Sequence, residues 1–556
     1  MMIPDSTTRR RGLERFAGPT GQRDIVSALR ESRAFGAGSA QVDVVETHIS
    51  YVFLVGGDAY KVKKALLLPF LDFSTLESRR RYCELEVALN RRTAPSLYLG
   101  VVPIVERGGA IALGGAGNVV EWAVHMRRFA DDALLSRMLA RDRVAPAMID
   151  RLAHCVAAFH GTISRTPPAD AGTAAKAIAL ALDSLRDLDA LVESPEERER
   201  VGALRAWTLR EGAARESSMQ ERRRRGFVRD CHGDLHLDNI AVIDGQPTPF
   251  DCIDFDPALR WGDVIGDVAF AAMDLRARGR ADLARRFCDR YLEATGDYAG
   301  ATLMPFYAVY RALVRAKVAS IRANAADDAG AATDARREAS RYLALASALA
   351  APRVPALVVM HGFSGCGKSS LSQALVESAD VVRIRTDVER KRLHGLATRA
   401  RSEGGVDRGR GLYDPGVTRD VYAGIAATTE ALVAAGQSVV VDGTFLRRWQ
   451  RDAFRSVAQR GAAAFTIVDM RASVETLRAR VAARTIAGGD PSDADVRVLE
   501  HQLASAEPIA DEELANVLAI DADLPMASTV GSRAWCEWVA KLAQGRAREQ
   551  PPETAG

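Results

Sequence analysis

Leu357-Val358-Val359-Met360-His361-Gly362-Phe363-Ser364-Gly365-Cys366-Gly367-Lys368-Ser369-Ser370 is the stretch that decides how this chain of 556 residues is read. Its apolar opening suits a strand buried on both faces, and residues 370–375 carry helical patterning. Between them stands G-x-x-x-x-G-K-S. In this pattern glycines let backbone N–H groups converge on phosphate oxygens at a helix N-terminus. Gly362, Ser364, Gly365, Cys366, Gly367, Lys368, Ser369 and Ser370 are therefore the candidate phosphate cradle. The Lys368 ammonium can reach the β- and γ-phosphates of ATP, and the Ser369 hydroxyl can ligate Mg²⁺. A glycine-rich structural turn is the bland alternative. Small size accounts for Cys366 in the loop better than redox chemistry does.

Downstream, apolar runs at 356–360, 381–384, 438–441, 464–468 and 517–520 alternate with helical segments, which predicts a parallel sheet covered by helices. Asp387 follows the second run and is placed to accept a hydroxyl proton; Arg390, one helical turn on, can hold a phosphate. The alternative for Asp387 is a helix N-cap, a role compatible with catalysis. Asp442 closes the third run as a candidate for the Mg²⁺ shell. Arg480 and Arg484 share a helix face ahead of Gly488-Gly489-Asp490-Pro491, an arrangement suited to a mobile basic lid or to surface salt bridges.

Upstream, residues 350–355 hold two prolines and read as a linker. Residues 51–63 alternate around Gly56-Gly57-Asp58 as a hairpin, and Ser74-Thr75-Leu76-Glu77 resembles a capping box opening a helix. Residues 98–105 and 119–126 are β-like, 131–225 mostly helical, 227–229 and 240–243 β-like again, and 267–349 helical. Residues 222–225 are four arginines, read as a solvated helix end. In His232-Gly233-Asp234-Leu235-His236-Leu237-Asp238-Asn239, Asp234 and Asn239 have D-x-x-x-x-N spacing. That loop can present Asp234 to a hydroxyl and Asn239 to Mg²⁺, with Asp254 as a second metal-binding carboxylate. A transition metal is the rival, since His232 and His236 share the loop, although no third His or Cys stands at familiar spacing. A hydrogen-bonded turn without catalysis is the simpler alternative.

The chain is too long for one core. Lys+Arg 75 against Asp+Glu 72 leaves a formal charge of +3, so no global field favours nucleic acid. Seven cysteines without a C-x-x-C pair argue against a disulfide framework and for a reducing, cytoplasmic setting. No secretory leader or membrane-spanning run is recognisable, so no membrane partner is expected.

Residues 354–545 resemble the small P-loop kinases, a group that includes gluconate kinase, zeta toxins and phage polynucleotide kinase. That resemblance implies Asp387 as base and Arg480 or Arg484 as lid arginines. Residues 40–350 resemble the aminoglycoside phosphotransferase family, specifically at 232–240 and 253–256. This second resemblance implies a two-lobed protein-kinase-like fold and a nucleotide-anchoring lysine on the hairpin. Lys61 and Lys63 both qualify, with Lys63 preferred because it follows Val62. It also implies Glu86 rather than Glu84 as the pairing carboxylate, a hinge within 121–128, and Asp267 as a brace of the catalytic loop. No G-x-G-x-x-G precedes Lys63, as is common in that family.

The expectation is an α/β multidomain chain: an N-terminal extension (1–40), a kinase-like α+β domain (41–349), a linker (350–355), a P-loop parallel α/β sandwich (356–545) and a disordered tail (546–556). Its expected activity is bifunctional transfer of the γ-phosphate of ATP, with Mg²⁺, to hydroxyls of small-molecule acceptors. A nucleotide-sensing protein with one inactive domain, or a polynucleotide-end kinase, are the alternatives.

Overall fold

The computed structural model describes residues 21–36, 41–68, 71–396, 414–487 and 494–544. Most of the expected N-terminal extension, the glycine-rich 488–491 stretch and the tail at 546–556 lie outside the described residues. The chain divides into two compact units, Met1–Ala177 with Glu216–Ala271, and Ile178–Arg215 with Ala272–Gly556.

The first unit is built on an antiparallel sheet. Strands β1 (Val42–Glu46), β2 (Ser50–Val55) and β3 (Asp58–Lys63) lead to a two-residue ribbon, β4 (Leu67–Leu68) and β5 (Leu71–Asp72). Then come β6 (Tyr98–Arg107), β7 (Ala110–Leu113) and β8 (Asn118–Arg127), in spatial order β1-β2-β3-β8-β6-β7. Alternation sorts the faces. Phe53 and Val62 are buried against Ile25 and Leu29 of the Gln22–Leu29 helix, whereas Ala59 and Val124 pack on Cys83 and Val87 of α1 (Leu76–Asn90). The cap of α1 is Thr75, whose hydroxyl accepts from the Ser78 N–H at 3.1 Å, so the start lies one residue past the expected Ser74 box. Ser74 instead donates its hydroxyl to Asp72.

Two short ribbons follow: β9 (Val228–Asp230) with β12 (Trp261–Asp263), and β10 (Ile240–Ile243) with β11 (Gln246–Pro249). Arg222 corrects the expected solvated arginine run. The helix Pro195–Arg224 ends against the β9–β12 ribbon, so Arg222 is buried in a two-pronged pair with Asp263 (2.7 and 2.9 Å) and over the Phe227 ring. Arg223 donates to carbonyls of Pro168 and Ala169, and Arg224 and Arg225 stay exposed as expected.

In the second unit, α2 (Ala281–Thr295) and the helices Met304–Ala325 and Ala329–Leu349 precede an all-parallel sheet. Its strands are β13 (Ala356–His361), β14 (Val381–Arg385), β15 (Ser438–Asp442), β16 (Ala464–Arg471) and β17 (Val517–Asp521), in order β14-β15-β13-β16-β17. Helix α3 (Lys368–Ser378) follows β13, α4 (Thr386–Leu393) follows β14, and α5 (Val474–Ala487) follows β16. Val358, Met360, Val440 and Val468 of the strands bury against Leu371 and Leu375 of α3. Parallel strands end at one common edge, which places the loops after β13, β14 and β15 together. The molecule is thus a kinase-like α+β fold followed by a P-loop parallel α/β sandwich. Among the described residues no helix is long and apolar enough to cross a membrane.

Candidate active sites

At the phosphate loop the backbone demands glycine. Gly365 has φ +89°, and a Cβ there would stand 2.9 Å from the Leu477 carbonyl oxygen. Lys368 folds over the loop, its Nζ donating to the carbonyls of Gly362 (2.9 Å) and Phe363 (2.7 Å). Asp442, at the end of β15, accepts from the Ser372 hydroxyl at 3.2 Å and stands 3.4 Å from Arg385 Nε. Thr386 donates to the Asp442 carbonyl at 3.2 Å.

A cavity of about 640 Å³ joins Ser364, Lys368, Ser369, Asp442, Asp387 and Arg390, and Arg480 and Arg484 also line it. The backbone cap of α4 is Arg385, so Asp387 sits in the first turn and the N-cap alternative is not realised. Arg390 Nη1 donates to Thr418 Oγ1 at 3.0 Å. Arg480 and Arg484 anchor on the backbone carbonyls of Ala522 (2.9 Å) and Ala494 (2.6 Å). Sequence reasoning missed the far wall, where Trp449 stands edge-on to Tyr422 near Arg419 and Arg447. No motif marks those positions.

The other site is a cluster of paired charges. Lys61 and Lys63 both reach Glu86, at 2.9 and 2.7 Å. Lys63 also meets Asp254 at 2.5 Å, and Lys61 meets Asp251 at 2.6 Å. Glu84 pairs outward with Arg80. Burial favours the neutral forms, yet the two ammoniums outweigh it at Glu86 and hold its carboxyl below the usual range. For Lys63, burial is likewise outweighed, by Asp254 and Glu86, and its pKa is raised. At Asp254 burial wins over Lys63, and the carboxyl is pushed up. Asp251 was not anticipated; it holds a left-handed backbone (φ +58°) and its N–H donates to the Tyr98 hydroxyl.

Asn239 donates its amide to Asp234 Oδ2 at 2.9 Å. The Asp267 carboxylate accepts the N–H groups of His232 (2.8 Å) and Gly233 (2.9 Å). Both ring nitrogens of His232 are engaged, with the Phe250 carbonyl (3.0 Å) and the Asp234 N–H (3.3 Å), and burial lowers its pKa, so the ring is neutral. That leaves it no lone pair for a transition metal. Across the window expected to contain the hinge, β8 runs through residue 127, and Glu121 is fully buried on Arg79. Only Arg128 of that window lies past the strand.

The candidate Mg²⁺ ligands, Asn239 and Asp254 in the kinase-like unit and Ser369 and Asp442 at the P-loop cavity, offer oxygen donors. Hard oxygen sets suit Mg²⁺ rather than a soft metal.

The sequence model described as the phosphotransferase enzyme family matches residues 84–303, and that described as an AAA domain matches residues 357–509. The uncharacterized proteins Rv2004c of Mycobacterium tuberculosis and Mb2027c of Mycobacterium bovis are each 33% identical to this chain over 462 residues, covering 82% of it and 88% of theirs. Among solved structures, a gluconokinase from Sinorhizobium meliloti is 26% identical over 34% of this chain and 95% of its own, with a TM-score of 0.24. A choline/ethanolamine kinase family protein from Mesorhizobium loti is 14% identical over 58% of this chain and 98% of its own, with a TM-score of 0.35. Both matched domains belong to the kinase and phosphotransferase class of enzymes. This chain is a member of the family of those mycobacterial proteins, and in it a phosphotransferase-enzyme domain precedes a P-loop kinase-like domain.

Proposed function

We propose that the protein is a bifunctional phosphotransferase that moves the γ-phosphate of ATP to hydroxyls of small-molecule acceptors at two separate Mg–ATP sites. One lies in residues 41–349 and the other in residues 356–545, joined by 350–355. The observations that support this reading are that the P-loop cavity brings together Lys368, Asp387, Ser369 and Asp442, and that the kinase-like unit pairs Lys63 with Glu86 and Asp254, and Asn239 with Asp234.

Magnesium-bound triphosphate supplies the electrophilic phosphoryl group at both sites; the chain's residues position and neutralise it. In the P-loop domain the backbone from Gly362 to Ser370 cradles the phosphates and Lys368 neutralises them. Ser369 and Asp442 hold Mg²⁺, and Asp387 takes the acceptor's hydroxyl proton. Arg480 and Arg484 cover the transferring group. Arg390, Arg419 and Arg447, with Trp449 beside them, fit an acceptor that combines an anionic group with an apolar face. In the kinase-like domain Lys63 anchors the phosphates with Lys61 beside it, Glu86 orients both lysines, Asn239 and Asp254 hold Mg²⁺, and Asp234 is the base. All seven cysteines are free, which supports a reducing, cytoplasmic setting.

The test is to incubate the protein with γ-labelled ATP, Mg²⁺ and a metabolite extract and to identify the labelled products. Lys368→Ala should remove one set of products and Asp234→Ala the other. Products that survive both substitutions would overturn the assignment.

A further inference from the structure

A second cavity, of about 470 Å³, lies in the unit that carries the P-loop, and it shares no residue with the phosphate-loop cavity. On one side of it is Asp380, in the short link between α3 and β14. Three guanidiniums converge on that single carboxylate: Arg276 at 2.5 Å, Arg285 at 2.7 Å and Arg353 at 2.8 Å. Arg285 also donates to the Glu377 carbonyl at 2.7 Å, at the end of the helix that begins with Lys368.

The other two acids lining the cavity have their own partners. Asp289 is taken by Arg383 (2.6 and 3.1 Å) and Glu211 by Arg215 (2.7 Å). Three positive charges against one negative leave a local excess of two. The Arg276 and Arg285 side chains are only about one-fifth exposed (21% and 19%), so water compensates that excess poorly. The field is strong enough that these arginines, against the opposing effect of burial, hold the Asp380 carboxyl well below the usual range. Apolar groups complete the lining: Trp207, Met273, Leu292, Met304 and Pro305. A pocket of this size with an apolar wall and a few convergent polar groups is the usual form of a small-molecule site. Guanidiniums present paired N–H donors in the geometry of an oxyanion.

We propose that this cavity is a binding site, separate from the phosphate loop, for a small molecule that carries a phosphate or carboxylate group on an apolar ring. The oxyanion meets Arg276, Arg285 and Arg353, and the ring lies against Trp207 and Met304.

Isothermal titration of the full chain with phenyl phosphate tests it, with inorganic phosphate and benzoate as parallel arms. Phenyl phosphate should bind at this site with the same affinity in Lys368→Ala, which removes the phosphate-loop cation. Its affinity should fall at least tenfold in Arg353→Ala, where a side chain 41% exposed can be cut without loss of the fold, and in Arg276→Ala. Trp207→Leu should weaken phenyl phosphate and leave inorganic phosphate unchanged. The better binder of inorganic phosphate and benzoate tells which oxyanion the arginines prefer. No binding, or binding that is unaltered in both arginine variants or lost in Lys368→Ala, overturns the proposal.

Discussion

The two candidate active sites are built by opposite means. At the phosphate loop, a run of nine residues shapes the cradle with its own backbone, and the cations around it face an open cavity of about 640 Å³. At the kinase-like site the shape comes from side chains far apart in sequence: Lys61 meets Asp251 across 190 residues, and Lys63 meets Asp254 across 191. There two lysines and three carboxylates already satisfy one another. A backbone cradle needs only its own glycines, whereas a cluster of distant charges exists only when the whole unit is folded. Catalysis and stability should therefore separate at the first site and move together at the second.

The sharpest way to break that contrast is kinetic. Asp234→Ala should lower transfer at the kinase-like site by roughly 10²–10⁴-fold, the usual worth of a positioned base. Lys368→Ala should lower transfer at the P-loop site by roughly 10²–10³-fold, the scale of losing one preorganised electrostatic donor. Each loss is read from the rate of its own labelled product, with the other product unchanged. Equal loss of both products from either substitution would mean that the sites do not work independently.

The same contrast explains what could be read from the sequence. The P-loop, the parallel strands and the order β13, α3, β14, α4 follow from local pattern, because contiguous residues make them. The placement of Asp387 beyond β14 follows too. The left-handed Asp251 does not, since nothing local marks a partner for Lys61. Nor does the buried pair of Arg383 with Asp289. In hindsight an arginine inside the apolar run 381–384 is a signal of an internal partner, but its address on α2 needs the fold. Arg222 misled for the same reason: four arginines in a row read as solvated, and only the ribbon at Asp263 shows why one is not.

Stability should separate the two lysines, and by less than the kinetic effects separate the two sites. Lys63 and its partners Glu86 and Asp254 are nearly inaccessible, with side-chain exposures of 1%, 1% and 7%. Lys63→Met removes the ammonium in contact with Asp254 and should cost roughly 3–5 kcal/mol, as when one partner of a buried pair is deleted. Lys61→Met leaves Glu86 paired to Lys63 and Asp251, 43% exposed, free to hydrate, so its cost should be on the order of 1 kcal/mol. Urea unfolding midpoints give the order. A larger loss for Lys61→Met would mean that Lys61, not Lys63, anchors the cluster.

The smallest expected effect is a change of slope with pH, and within the kinase-like cluster it has two signs. Glu86 has a folded pKa below its unfolded value, so in the window between them the unfolded chain binds more protons and stability rises with pH. Its contribution is complete above the ordinary glutamate value and is lost as pH falls through the depressed one. Asp254 is shifted the other way, so above the ordinary aspartate value the folded chain holds the extra proton, and stability falls as pH rises through the elevated pKa. Glu86→Gln should therefore flatten the rise of melting temperature at acid pH, whereas Asp254→Asn should remove a decline at higher pH. If both substitutions tilt the profile the same way, the two carboxyls do not divide the lysine charge unequally, and the cluster is a symmetric salt bridge rather than one in which burial overrides pairing at Asp254.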